Sequence, residues 1–155
     1  MPLPDFDADD FLPPGIHAST LKEVETRFGI ETEVRQQRFA LLQAVVTAAR
    51  PYPTIKRILV WGSFVTSKPE PQDLDYSLIV SVDHLRSQIA PEDARFFVPS
   101  QARIFYGVDR GYLVIKDYPL EEYIERLAFM GRTRSLRDCG IVEISVRGEF
   151  LGDNP

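Results

Sequence analysis

Cysteine is almost missing from this 155-residue chain, which has only Cys139, so neither a disulfide framework nor a multi-cysteine zinc site can be built from it. Histidine is nearly as scarce: His17 and His84 have no partner at the spacing of a metal-ligand set or a catalytic triad and read as surface or loop residues. No run approaches the roughly 20 apolar residues of a membrane-spanning helix. No segment joins basic residues to a short apolar stretch and a small-residue cleavage site. Neither membrane insertion nor secretion is expected, and a reducing cytoplasm is the expected compartment. An excess of positive charge is also lacking, since 18 Lys and Arg stand against 23 Asp and Glu for a formal net charge of −5. A basic nucleic-acid coat protein is thereby excluded. The imbalance is local, however. Asp5, Asp7, Asp9 and Asp10 carry four of the negative charges, leaving 18 basic and 19 acidic residues in positions 11–155.

What is present suits one globular domain. The chain is 44% hydrophobic and 26% charged, and at this length folding buries roughly 68–70% of the unfolded surface, enough for a core without staples. Residues 1–17, with four prolines in the first fifteen, read as an extended arm that rests on the body through Phe6, Phe11 and Leu12. Residues 18–150 read as a single domain and 151–155 as a tail. Thr20 with Glu23 forms a capping box for a short helix that Gly29 ends. Phe39, Leu42, Val46 and Ala49 recur at helical steps within 33–50, and Pro51 and Pro53 stop that helix. Strands are expected at 57–61, 74–82, 111–116 and 140–146, one or two short helices within 83–105, and a helix over 118–130. Helices interleaved with strands indicate an α/β or α+β domain.

Chemistry concentrates in WGSFVTSKPEPQDLDYSLIV, residues 61–80. On an extended strand Asp73 and Asp75 point the same way, about 7 Å apart along the chain. Two such carboxylates repel unless a cation lies between them, and oxygen ligands on one face suit Mg²⁺. Gly62 lets the backbone turn and expose N–H groups, and the Ser63 hydroxyl adds a donor, so the pair can hold phosphate oxygens. Taken singly, Gly62-Ser63 is an ordinary strand-ending turn and Asp73-Leu74-Asp75 a solvated strand entry or an Asx turn after Pro71. Together, at this spacing between two buried-strand patterns, they point to a metal–nucleotide site.

That arrangement resembles the nucleotidyltransferase superfamily with the polymerase-β-like fold, whose signature is an apolar residue, Gly-Ser, a spacer, then acid, apolar residue, acid: here Trp61, Gly62, Ser63, then Asp73, Leu74, Asp75. Val108-Asp109 is similar to the element that carries the superfamily's third carboxylate, with Asp117 as the competing acid. The strict motif covers residues 61–75, and the order of strands and helices extends the resemblance over roughly 36–117. The flanks look like a small uncharacterised bacterial subgroup. The resemblance implies a nucleotidyltransferase-like mixed β-sheet with flanking helices, Mg²⁺ or Mn²⁺ held by Asp73, Asp75 and Asp109, and Asp109 as the base. Gly62, Ser63 and Lys68 would bind the nucleotide phosphates. A nucleoside monophosphate would pass from an NTP to a hydroxyl of a protein or RNA, in a toxin–antitoxin or defence setting by analogy. The implied alternative is a catalytically silent module that binds nucleotide, RNA or a protein partner.

The chain departs from many members after Gly-Ser, where Val65, Thr66 and Ser67 replace the usual basic residue and second glycine. Lys68 either restores the missing charge or is a solvated turn lysine. Asp117 reads as the N-cap of the 118–130 helix, Trp61 as a core residue and Cys139 as a small buried one. Arg132, Arg134 and Arg137 suit the end of that helix, with contact to an acceptor RNA or to nucleotide phosphates as the functional alternative.

Overall fold

Strands as apolar as IKRILVW and DYSLIV need cover on both faces, which places them at the centre of a sheet rather than at its margin. A computed structural model describes residues 3–71, 73–81, 83–85, 88–98, 112–114 and 139–147. It is a mixed α+β domain in which a five-stranded sheet has the order β1-β5-β2-β3-β4. The elements are β1 (Gly15–Ser19), α1 (Leu21–Phe28), α2 (Glu33–Ala49), β2 (Ile55–Trp61), β3 (Asp75–Val80), α3 (Ala94–Phe97), β4 (Tyr112–Val114) and β5 (Gly140–Ser145). Short 3-10 turns cover Gly62–Val65 and Pro91–Asp93. The pairs β2–β3 and β2–β5 are antiparallel, whereas β1–β5 and β3–β4 are parallel.

Cross-strand register separates the two faces. Ile58 faces Leu78 and Ile144, and Val60 faces Tyr76 and Val142; all six are buried in the main core with Phe28, Phe39, Leu42, Val45 and Val46 of α1 and α2. Residues alternating with them lie on the other face: Trp61 opposite Asp75, then Leu59 opposite Ser77 and Glu143. Leu59, Ile79 and Ile141 are buried there as well. Burying a side chain of this size contributes about 1.5–3 kcal/mol, so a one-residue slip of β2 would exchange the two faces and lose several such contributions.

Several sequence expectations shift. Residues 15–17, expected as arm, enter β1, so the arm ends in an edge strand paired with β5. Gly140 explains how they fit: its N–H donates to Leu12 O at 3.0 Å, and a Cβ there would meet Leu12 Cβ at 2.7 Å and His17 Cδ2 at 2.9 Å. The arm does rest on the body, with Leu3 and Leu12 buried and Arg27 lying 4.5 Å over the Phe6 ring while donating to Pro4 O at 2.7 Å. Thr20 caps α1, accepting from Glu23 N at 3.1 Å. The reciprocal half of the capping box is missing because the Glu23 carboxylate instead accepts from Ser19 Oγ at 2.8 Å and from Leu3 N. Cys139 is half-buried rather than buried. His84 is half-buried, with its Nδ1 2.8 Å from Thr54 Oγ1, and burial pushes its pKa down while Asp83 opposes the shift. The described part of 83–105 does hold short helices, a 3-10 turn at Pro91–Asp93 running into α3, seated by Tyr52 OH donating to Asp93 at 2.6 Å and Tyr76 OH donating to Phe96 O at 2.6 Å. The helix expected over 118–130, with Arg132, Arg134 and Arg137, lies outside the described residues.

Candidate functional site

Antiparallel pairing of β2 with β3 brings the end of one and the start of the other to the same margin of the sheet, where Trp61 pairs with Asp75. The next residue, Gly62, has φ +80°, a left-handed conformation that L side chains rarely adopt. Space makes the same demand: a Cβ on Gly62 would run into Oδ2 of Asp75 and lie 3.3 Å from its Cγ. The Gly-Ser step therefore rests directly on the Asp75 carboxylate, and glycine is required both by the turn and by the acid.

Phe64 and Val65 anchor the 3-10 turn in the core at 0% and 2% exposure. The Ser63 carbonyl accepts from Thr66 N at 3.2 Å and from Thr66 Oγ1 at 2.7 Å, and Thr66 Oγ1 accepts in turn from Lys68 N at 3.2 Å. Lys68 is exposed, and its contribution to the turn comes through its main chain. Asp73 precedes β3 rather than lying in it, because the strand begins at Asp75. Leu74 between the two acids is fully buried, and both acids are half-buried. Trp61 is likewise half-buried at the strand end rather than within the core.

The residue that sequence reasoning missed is Arg35, in the first turns of α2. It is 2% exposed, and its guanidinium donates to Phe28 O at 3.2 Å, Phe64 O at 2.8 Å, Thr66 O at 2.5 Å and Lys68 O. The guanidinium carbon also lies 5.7 Å from the centre of the Phe64 ring. Three of the four acceptors belong to the connection that follows Gly62-Ser63. Thr32 ties the same helix start to that connection: its hydroxyl caps α2 by accepting from Arg35 N at 3.1 Å and donates to Pro69 O at 2.8 Å. Burial lowers the Arg35 pKa, opposed by Glu31. Withdrawing an ion from water costs several kcal/mol, and hydrogen bonds to a charged group return about 1.5–3 kcal/mol each, so four of them suffice to hold the charge in place. A signal was available: Arg35 is one step of four before Phe39, on the apolar stripe of α2, where a solvated arginine has no place.

The Asp75 carboxylate against Gly62, with Asp73 two residues before it in sequence, supplies hard oxygen donors of the kind that suit Mg²⁺ or Mn²⁺. Among the described residues no group of three His, Cys, Asp or Glu forms a metal cage. Asp109 and its competitor Asp117 lie outside the described residues. No helix among the described residues is long and apolar enough to cross a membrane.

Comparison with protein-family models matches residues 4–145 to a family of unknown function, DUF6932. No curated protein and no solved structure matches the chain.

Proposed function

The chain belongs to the DUF6932 family, and we propose that it works there as a small Mg²⁺-dependent nucleotidyltransferase, moving a nucleoside monophosphate from an NTP to a hydroxyl of a protein or RNA. The observation that carries this reading is the packing of Gly62 on the Asp75 carboxylate, which joins the turn suited to phosphates and the acid suited to a metal in one place. Asp73 and Asp75 hold the cation, and Gly62 and Ser63 hold the phosphates. When bound, Mg²⁺ supplies charge stabilisation to the attacking and leaving oxygens of an in-line displacement. The acceptor oxygen bonds to the α-phosphorus, the bond from that phosphorus to the bridging oxygen breaks, and pyrophosphate departs. The acceptor's proton goes to Asp109.

Asp109 is preferred to Asp117 in that role on spacing. Leu78 and Tyr112 are partners in the parallel β3–β4 pairing, and Asp109 precedes Tyr112 by three residues as Asp75 precedes Leu78. Asp117 comes after Val114 in the sequence and has no such counterpart in β3. The direct test is incubation with labelled NTPs, Mg²⁺ or Mn²⁺ and cell extract. Label transfer is expected to fall at least 100-fold in Asp73→Asn and Asp75→Asn, and transfer indifferent to both substitutions would sink the enzymatic claim. A connection after Ser63 without a second glycine favours the rival reading, a silent module that binds nucleotide, RNA or a protein. Metal-dependent NTP binding without transfer would establish it.

A further inference from the structure

The connection from Phe64 to Lys68 contains no glycine and only one cationic side chain, the exposed Lys68, yet it is held on two sides. Arg35 gathers the carbonyls of Phe64, Thr66 and Lys68 from beneath. In a trans peptide the N–H points opposite to the C=O, so the N–H groups of Val65 and Ser67 are directed away from the guanidinium. The N-terminal arm meets the second of these, with Ser67 N donating to Asp10 O at 3.2 Å, and Phe11 forms a bridge with Thr66. Asp10 adopts φ +69° at that contact. A guanidinium in low dielectric also acts more strongly on a nearby anion than a solvated ammonium does.

We propose that Arg35 is the positioning residue of the Gly-Ser turn: it fixes the peptide groups from Phe64 to Lys68 before any nucleotide arrives and sets a permanent positive charge beneath the place where the triphosphate binds. Arg35 thereby substitutes, from a distant helix, for the basic residue and the second glycine that the connection lacks. The part concerning triphosphate rests on the nucleotide reading of the site; the part concerning the turn does not.

Hydrogen exchange of wild type and Arg35→Lys, followed by titration with ATP or GTP in Mg²⁺ and with Mn²⁺ alone, tests both parts. Lysine keeps the charge but cannot reach four carbonyls at once. Exchange at residues 64–68 is expected to quicken at least tenfold while the amides of β2 and β3 stay within twofold. Nucleotide affinity is expected to fall at least tenfold, with Mn²⁺ affinity within twofold. In Arg35→Ala, added methylguanidinium is expected to recover part of the protection at 64–68. Unchanged exchange would overturn the proposal, as would equal loosening of the strands. Failure of both variants to fold would overturn it too, because Arg35 would then be a general core residue. If wild type binds neither nucleotide, the nucleotide reading falls, and the exchange pattern alone decides whether Arg35 holds the turn.

Discussion

An arginine grips each end of α2, Arg35 at its start and Arg147, beyond β5, at its finish, and the hydrogen bonds described for each guanidinium go to main-chain carbonyls. Arg147 donates to Arg50 O at 3.3 Å, Ile55 O at 2.8 Å, Ala49 O at 3.5 Å and Tyr52 O. Those acceptors include Ala49 O and Arg50 O at the end of a helix, where the intrahelical bonds run out and the negative end of its dipole lies. A cation belongs there, and Arg147 can sit partly in solvent while providing it. Arg35 occupies the opposite setting. It is sealed from water at the end of the helix where the dipole disfavours a cation. The dipole of α2 explains Arg147 and opposes Arg35, so the reason for Arg35 has to be what it holds: the Phe28 carbonyl at the end of α1 and three carbonyls of the connection.

The largest expected effect separates the two arginines. Arg35→Met leaves buried carbonyls without donors, at about 1–3 kcal/mol for each that stays dry, and is expected to lower stability in urea unfolding by more than about 3 kcal/mol. Arg147→Met exposes its carbonyls to water and is expected to cost about 1 kcal/mol; equal losses would erase the distinction. Gly62→Ala comes next, at about 1–2 kcal/mol for the left-handed backbone plus the collision with Asp75. Adding Asp75→Gly should relieve the second part, read as a non-additive double-mutant cycle. The smallest effect concerns pH. Arginine stays charged throughout the usual range, so between neutrality and mild acid a pH response is expected from His84. Its folded pKa lies below the unfolded value of about 6.5, so the unfolded state takes up protons first and stability falls as pH drops through that value. Thermal melts from pH 8 to 5 should show the decline in wild type and less of it in His84→Asn, with the contrast between Arg35→Met and Arg147→Met unchanged.

Local pattern made much of this architecture readable. The stripe Phe39, Leu42, Val46, Ala49 marks α2 because helical period and burial coincide there, and β2 and β3 follow from short, dense apolar runs. The juxtaposition of Gly62 with Asp75 was legible as spacing, since two strands joined by a short connection pair at its mouth. β1 was hidden for a physical reason. Its five residues GIHAS are mostly exposed and acquire strand form only from β5, where Gly15 meets Gly140. Arg35 was hidden differently: charge suggests solvent, and only the carbonyls of a loop about thirty residues away reveal why it is buried.

The position of β5 has a consequence for how the chain reaches this structure. The strand latest in sequence among those described lies between β1 and β2, so a chain emerging from the ribosome exposes an unpaired edge on β2 until residues 140–145 arrive. Such edges invite pairing with other chains. Sheet completion is therefore a late event that joins the earliest strand to the latest, and a chain cut short before Gly140 would keep its hydrophobic centre open along one side.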